Sequence, residues 1–449
     1  MQKIKQLFFP KQSDKIFKGF GPAFLAIAMG IGSGEFILWP YLTTHYGFGI
    51  LWGALLGITI QLAIIVAVEK NTAFLGENII VSFRRIFKYS FGWILFSTII
   101  GFGWPGFSAM ASNLFINGFG FDMNIHGWVS LIFLCLAAFA LVIHKNAYKS
   151  ILFLQKINLS LLLILITSLF IYYFDVNIFL KMIVGFGGVG DGFIFIPAGL
   201  SLITFMGAIV YAGSGGNLLL ANSFFVENEQ KGLVGQKETD SEMIIPENNP
   251  ESIVNAKNFT RSSWKQNALF FWGTGLLIIV LLSYVSYAVL YGNIAISDDF
   301  SFLIEEAMIF SRDIHPLVGK LFIFSGVFAI FGVQLGIFDF IGRISKTIKK
   351  YSKFNHISDT LAYRTGVLAT TLFGATILLL GVNQPSFLII TGASLNALSM
   401  GVLAWLLYKV EKNLLPDYLQ SKFFKGLMIL TSIFYLVFFT YVVADKFIF

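Results

Sequence analysis

Long apolar runs alternate along the chain with short polar connections. Eleven of these runs are close to the roughly 20 residues that an α-helix needs to cross the hydrocarbon core of a bilayer. Their length distinguishes them from ordinary core helices. The pattern predicts an all-α polytopic membrane protein with spans at approximately 20–42, 48–69, 91–112, 127–143, 152–174, 198–225, 267–290, 318–342, 365–382, 386–408 and 426–445.

Three segments are too polar to span. Residues 1–19 form a basic N-terminal segment before the first span. Residues 226–265 join the sixth and seventh spans, and their acidic composition with Pro246 and Pro250 predicts a flexible cytoplasmic connector. Residues 292–316 are also acidic, and we expect a solvated outer loop there. The alternative is that this loop concentrates cations at an outer vestibule.

The charge distribution predicts the orientation of the spans. Only 12% of residues are charged, against about 25% in an ordinary globular domain, and the mean hydropathy is +0.78. Lys and Arg collect in alternate connections, and only Lys181, Arg312, Lys320 and Lys446 fall on the other side. The positive-inside rule therefore predicts a cell-membrane protein with a cytoplasmic N-terminus. The net charge of +7 reflects this orientation, and no nucleic-acid partner is expected.

Two spans carry the same tripeptide near their middle, Gly32-Ser33-Gly34 and Gly213-Ser214-Gly215. Each glycine costs about 1 kcal/mol relative to alanine inside a helix. Irregular backbone is tolerated at membrane depth only where it faces protein or a water-filled cavity. A broken helix in each half of the chain is the sequence signature of a secondary transporter with a substrate site at the midplane. An enzyme is not expected, and neither is a cofactor.

The side chains next to the two breaks must indicate what binds, because a broken helix offers carbonyls to cations and N–H groups to anions. Glu35 follows the first break, where an intramembrane carboxylate costs about 2.5–3.5 kcal/mol on the insertion scale. It is interpreted as a ligand for a hard cation, a proton acceptor, or a structural hydrogen-bonding group. Asn217 is either a ligand or a cap for the restarted half-helix. The predicted substrate-binding set is Gly32, Ser33, Gly34, Glu35, Tyr211, Gly213, Ser214, Asn217 and Asn396, with Glu35 and Asn217 as the metal ligands.

Other polar residues in the spans have more ordinary interpretations. Asp339 precedes Arg343 by one turn, which predicts an ion pair. Lys156 either snorkels to the cytoplasmic interface or acts as a tethered cation in place of sodium. Pro105 predicts a kink in the third span.

Three motifs resemble the Nramp family of divalent-metal transporters. Gly21-Pro22-Ala23-Phe24-Leu25 is similar to the start of that family's first span, and Tyr46 to Trp52, continuing to Gln61, to its second. Gln334 to Asp339, followed by Arg343, resembles its eighth. The resemblance implies a LeuT-type fold with broken helices 1 and 6. It comprises two inverted five-helix repeats, here 20–174 and 198–408, and an eleventh helix at 426–445.

The chain departs from this family where the metal binds. Nramp transporters carry Asp-Pro-Gly-Asn at the first break, where this chain has Gly32-Ser33-Gly34-Glu35. They carry Met-Pro-His-Asn at the second, where this chain has Ser214-Gly215-Gly216-Asn217. The third span also lacks the acidic residues that the family uses for protons. Without thioether sulfur, the remaining oxygen donors favour Mg²⁺, Ca²⁺ or Mn²⁺ over softer transition metals.

A second resemblance supports an organic solute as the alternative substrate. Ile31 to Phe36 is similar to the Gly-Ser-Gly break of amino-acid permeases, in which N–H groups receive the substrate carboxylate and a fifth-span lysine replaces sodium. Glu35 would repel such a carboxylate unless it were protonated. We therefore expect a monomeric secondary transporter of a small cation, a divalent metal of the Mg or Mn type, working by alternating access. The alternative is an amino-acid or other organic-solute permease. Paired breaks make a channel or receptor the weakest interpretation.

Overall fold

The computed structural model describes residues 4–11, 32, 34–143, 147–236, 243–292 and 301–447, and their side chains except those of 147–156 and 445–447. Nearly all of this is helical. The helices are α1 Trp39–Tyr46, α2 Trp52–Leu75, α3 Ile79–Ile86, α4 Ser90–Phe102, α5 Gly106–Phe119, α6 His126–Ile143, α7 Ala147–Tyr172, α8 Val176–Gly185, α9 Leu202–Val210, α10 Ala221–Asn228, α11 Pro250–Asn267, α12 Thr274–Leu290, α13 Phe302–Asp313, α14 Pro316–Lys350, α15 Asp359–Leu379, α16 Pro385–Asn413 and α17 Lys422–Phe447. The strands are β1 Ile4–Leu7, β2 Val189–Gly190, β3 Phe193–Ile194 and β4 Met243–Pro246.

The helices agree with a multi-pass membrane protein. Within the described residues, eight helical stretches are long and apolar enough to cross a bilayer, and they coincide with the predicted spans 2, 3, 4, 7, 8, 9, 10 and 11. Helix α7 occupies the predicted fifth span. The chain then bends by 118° into α8, so α8 does not continue that span.

The sixth span is interrupted where its glycines predicted. Helix α9 ends at Val210, five non-helical residues follow, and a 3₁₀ turn over Gly216–Leu220 leads into α10. In the first span, a π-helical turn over Gly34–Leu38 runs into α1, so the helix starts immediately after the predicted break. Residues 20–31 and Ser33, including the predicted first half-helix, lie outside the described residues.

The third span is also interrupted. Helices α4 and α5 are separated at Gly103, Trp104 and Pro105. The proline has no N–H to continue the helical ladder and its ring crowds the preceding turn. The predicted kink at Pro105 is confirmed.

The prediction of a flexible connector over 226–265 is wrong for most of that segment. Strand β4 is completely buried and pairs in parallel with β1 of the N-terminal segment, in the register Ile4 to Met243 and Leu7 to Pro246. Helix α11 follows, capped by the Asn249 side chain. The acidic composition suggested disorder, but the short apolar run of β4 is buried along its whole length. Residues 237–242 lie outside the described residues.

The outer connection between the seventh and eighth spans is also more structured than predicted. Residues 302–313 form the amphipathic helix α13, whose buried face includes Phe302, Glu306 and Phe310. It packs mainly on α14. The prediction of a solvated loop is therefore wrong for this part, and residues 293–300 lie outside the described residues.

Burial divides the spans into an inner and an outer set. In their most apolar windows α2 and α14 are 72% and 78% buried, whereas α6 and α17 are only 33% and 28% buried. The exposed faces of the outer helices carry large apolar side chains such as Phe139 and Leu430. These faces are suited to lipid, while the inner helices surround the two breaks.

Candidate functional site

The two breaks touch each other through their backbones. A Cβ added to Gly34 would lie 1.5 Å from the carbonyl oxygen of Tyr211 and 2.3 Å from its carbonyl carbon. No side chain fits there, so the approach requires glycine. Gly32 packs against α14 in the same way, since its Cβ would lie 2.6 Å from Cγ2 of Val333. The structure therefore brings the predicted site residues Gly34 and Tyr211 together, while Gly32 packs on α14.

Gln61 on α2 bridges the sixth-span break. Its Nε2 donates to the carbonyl of Val210 at 2.9 Å, and its Oε1 accepts from the N–H of Gly215 at 3.0 Å. These are backbone groups on the two sides of the interruption. Gly213 lies beside this bridge, because its Cβ would be 2.7 Å from Gln61 Oε1. The fully buried amide thus replaces intrahelical hydrogen bonds that the break removes.

Gln61 was not among the predicted site residues. The sequence showed it only as the end of a family-like motif in the second span. A lone amide within a long apolar run was the available signal, because such a group must find a partner inside the protein.

Asn396 on α16 holds the aromatic ring at the second break. Its Nδ2 donates to the Tyr211 hydroxyl and to the Gly101 carbonyl, both at 3.1 Å. The Tyr211 ring also packs against Phe102 and Phe107. The predicted site residues Tyr211 and Asn396 are therefore in direct contact.

The glycines that restart the sixth span have backbone conformations that favour glycine. Gly215 has φ +66° and Gly216 has φ +48°, both in the left-handed region. A Cβ on Gly216 would lie 2.1 Å from Oδ1 of Asn396. The amide oxygen of Asn396 thus faces the start of the second half-helix.

Asn217 anchors the restarted half-helix to the third span. Its Nδ2 donates to Ser97 Oγ at 2.8 Å and to Thr98 Oγ1 at 3.0 Å, both on α4. The predicted capping role is not observed, because Gly215 occupies the N-cap position of the 3₁₀ turn and no side chain caps it. The Asn217 Oδ1 accepts no hydrogen bond from a described residue and stays available to a ligand.

Glu35 is fully buried at the first break. Neither carboxyl oxygen has a hydrogen-bond partner of standard geometry among the described residues. The polar groups that act on the carboxyl are the backbone amides of Gly32 and of Glu35 itself. Glu35 and Asn217 are not hydrogen-bonded to each other. Burying an ionised carboxyl without a partner costs free energy, unless a cation binds it or a proton neutralises it.

Buried oxygen acceptors without a donor outnumber buried donors without an acceptor around the two breaks, in the part of the chain that the structure describes. The side-chain amides of Gln61, Asn217 and Asn396 all donate to protein groups. Within the described residues, both oxygens of Glu35 and the Oδ1 atoms of Asn222 and Asn396 have no donor. Buried acceptors without donors suit a cation or a hydrogen-bond-donating ligand. One donor runs against this pattern: the buried Trp39 indole N–H, one turn beyond Glu35, has no partner there either.

The other predicted residues have varied outcomes. Asp339 pairs with Arg343 at 2.7 Å and accepts from the Tyr363 hydroxyl at 2.8 Å, so the predicted ion pair is confirmed. Ser214 is buried at the second break. Ser33 and the side chain of Lys156 lie outside the described residues. No cluster of three or more His, Cys, Asp or Glu side chains arranged to hold a metal occurs among the residues described, so any metal bound by Glu35 would also need carbonyl and amide oxygens.

Known structures share this arrangement of helices. A mutant of the manganese transporter of Eremococcus coleocola has a TM-score of 0.72 at 11% identity over 99% of this chain and 90% of its own. Mhp1, a nucleobase-cation-symport-1 family transporter with bromovinylhydantoin bound, has a TM-score of 0.56 at 15% identity over 96% and 93%. MhsT in complex with L-phenylalanine has a TM-score of 0.53 at 14% identity over 97% and 99%.

These similarities define the fold. The chain has the LeuT-type fold, which confirms the predicted fold class. These neighbours are transporters rather than enzymes. No protein-family profile matches the sequence, and no curated protein is significantly similar to it. At 11–15% identity the neighbours establish the architecture and leave the substrate to the residues of the site.

Proposed function

We propose that this protein is a secondary transporter of a small cation, a divalent metal of the Mg or Mn type, carried by alternating access. The observation that supports this most directly is the unpartnered Glu35 carboxyl, buried beside a surplus of amide oxygens at the contact between the two breaks. The likeness of fold to a manganese transporter agrees with it.

The proposed ligands are oxygen atoms. Glu35 supplies the charge, Asn217 Oδ1 is its neutral partner, and backbone carbonyls from Tyr211 to Gly213 complete the shell. Hard cations with flexible coordination prefer such donors, and no sulfur is present to select a softer metal. The Gly215 N–H is already occupied by Gln61, which removes one of the donors that an anionic substrate would need at the second break.

The proposed cycle uses the two halves of the chain. The repeats 20–174 and 198–408 would move relative to each other around the fixed site, with the protein acting as a monomer in the cell membrane and its N-terminus in the cytoplasm. The bilayer and the transported ion are its only proposed partners.

Transport by purified protein in liposomes tests the proposal. Mg²⁺ or Mn²⁺ should enter the vesicles, and Glu35→Gln should lower the rate at least about tenfold because the site loses its charged ligand. Glu251→Gln, which neutralises an exposed carboxylate on α11, is the matched control and should transport normally. Uptake of neutral amino acids without any metal movement would refute the cation proposal.

An organic solute is the second candidate, and one observation favours it. The unpartnered Trp39 indole N–H offers a donor to an uncharged polar ligand, and the rings of Tyr211 and Phe107 lie beside the second break. Calorimetric titration of the protein with metal salts and with neutral amino acids separates the candidates. Heat from metals alone supports the cation, and heat from amino acids alone supports the permease.

A further inference from the structure

A basic cavity lies away from the two breaks, on the side of the molecule that carries the N-terminal strand. Its volume is about 690 Å³, and it lies where α2, α11 and the start of α17 meet. Among the described residues, no acidic side chain lines it. Its walls combine cationic and aromatic side chains, mainly Lys257, Arg261, Lys422, Trp264, Tyr418 and Phe424.

Three of the cations lack a counter-charge. Lys257 and Arg261 lie one turn apart on α11, and Lys422 is the first residue of α17; all three are exposed. None has an ion-pair or hydrogen-bond partner among the described residues. Lys70, in the same wall, shows the contrast: Glu411 lies 2.5 Å away and the Phe424 ring covers its ammonium. The uncompensated charge of the cavity therefore comes from the other three.

The cavity lies beside lipid-facing surface. Phe423 and Leu430 on α17 are 65% and 67% exposed, and Leu269, directly after α11, is 51% exposed. Leu269 and Leu430 belong to predicted transmembrane spans, and Phe423 lies just before the span of Leu430, so the cations lie at the end of the hydrocarbon zone on the predicted cytoplasmic side. An anion that also carries apolar chains would fit both surfaces at once.

We propose that this cavity binds the phosphodiester headgroup of an anionic phospholipid from the cytoplasmic leaflet. Basic pockets between membrane helices on that side are suited to such headgroups. The Arg261 guanidinium matches phosphate oxygens through paired donors, and the two ammonium groups add point charges. Trp264 occupies the interfacial depth at which indole rings are enriched. The acyl chains lie along the exposed face of α17.

The bound lipid would join two elements that the protein connects only weakly. Helix α11 is attached to α2 through Glu69, which accepts from Ser263 and Asn267. Helix α17 is attached mainly to α16. A headgroup held between Lys257, Arg261 and Lys422 links the two, independently of the transported substrate.

Native mass spectrometry of the detergent-purified full chain tests the site with phosphatidylglycerol and phosphatidylcholine as probes. The triple variant Lys257→Ala, Arg261→Ala, Lys422→Ala should retain phosphatidylglycerol at least about tenfold less than the wild type. The matched triple Lys11→Ala, Lys265→Ala, Lys353→Ala removes the same charge from exposed positions outside the cavity and should retain it normally.

Further measurements distinguish a lipid from a free anion and from misfolding. Lys257→Arg combined with Lys422→Arg keeps the charge and should bind like the wild type, and thermal melting confirms that each variant is folded. Millimolar inorganic phosphate should not displace the lipid. Equal retention by the two alanine triples, equal binding of phosphatidylcholine, or displacement by inorganic phosphate would each overturn the proposal.

Discussion

Gly34 is the residue on which the contact between the breaks depends. Its Cα faces the Tyr211 carbonyl so closely that even a methyl group must overlap it. We expect Gly34→Ala to force the two half-helices apart and to lower transport at least about tenfold, with a loss of stability of about 1–3 kcal/mol from overpacking. Vesicle transport and thermal melting measure both effects.

Gly426→Ala is the control for this substitution. Gly426 lies on the membrane helix α17, and a Cβ there meets no atom within 4 Å. Alanine should be neutral or slightly stabilising at this exposed helical position. If Gly34→Ala behaved like Gly426→Ala, the close approach of the two breaks would be wrong.

Gln61 is the second residue with a role that a single substitution can isolate. Gln61→Leu keeps the approximate volume and removes both hydrogen bonds, leaving the Val210 carbonyl and the Gly215 N–H without their partner. Each unsatisfied buried group costs about 1–3 kcal/mol, so the melting temperature should fall. Thr59→Val on the exposed face of the same helix is the comparison. A Gln61→Leu protein as stable as that variant would contradict the bridging role.

At the scale of elements, the sequence predicted the positions of the two breaks better than the residues that stabilise them. Two glycines within three residues of a span are a local signal, and Gly213 and Gly215 do lie within the five non-helical residues that follow α9. The partners of the break, Gln61 and Asn396, come from helices about 150 and 180 residues away along the chain. No periodicity or spacing reports such contacts. They follow only from the packing of all the spans.

The pairing of β1 with β4 was unpredictable for the same reason. Its strands are 4 residues each and lie 239 positions apart, from Ile4 to Met243. The acidic composition of 226–265 favoured disorder. Composition is an average over the whole segment, so it does not reveal the short apolar run that is buried. The result is an N-terminal segment tied to the connection between the sixth and seventh spans.

Phe9 fixes this N-terminal strand in place. Its ring is fully buried and makes edge contacts with Phe74 on α2 and Phe259 on α11. Its N–H donates to Ser252 and its carbonyl accepts from Asn255. Truncating a buried phenylalanine costs about 3–5 kcal/mol. We expect Phe9→Ala to release the strand and to speed amide hydrogen exchange in residues 4–7 and 243–246.

Phe8 provides the neighbouring control. It is 39% exposed, so Phe8→Ala should leave the exchange of both strands unchanged. Equal exchange in the two variants would show that the strand is held by its backbone pairing alone.

At the scale of the whole molecule, elements outside the spans cover part of each end of the helical bundle. On the predicted cytoplasmic side, β1, β4 and α11 connect the N-terminal segment to α2. On the opposite side, α13 packs on α14 and also contacts α5 and α12. A protein that alternates between two openings has to loosen one closure at a time, so groups that control either closure also control the cycle. The outer closure contains a titratable group that makes this testable.

Glu306 makes the packing of α13 dependent on pH. The side chain is 1% exposed, and burial raises the pKa of its carboxyl to about 8, which its hydrogen bond with Ser286 opposes only in part. The neighbouring Glu305 raises the pKa further. A raised carboxyl pKa means that the packed state keeps a proton which the exposed state loses. Stability of the packing is therefore greatest below about pH 4.5, falls as the pH rises, and is lowest above about pH 8.

We expect amide exchange in residues 302–313, corrected for the intrinsic rate, to rise at least about tenfold between pH 5.5 and 8.5. Glu306→Gln removes the titration and should flatten this profile, because the amide stays uncharged while remaining similar in shape. Glu305→Gln, at the partly exposed neighbouring position, should keep most of the slope. A pH profile that survives in Glu306→Gln would mean that another group controls the outer closure.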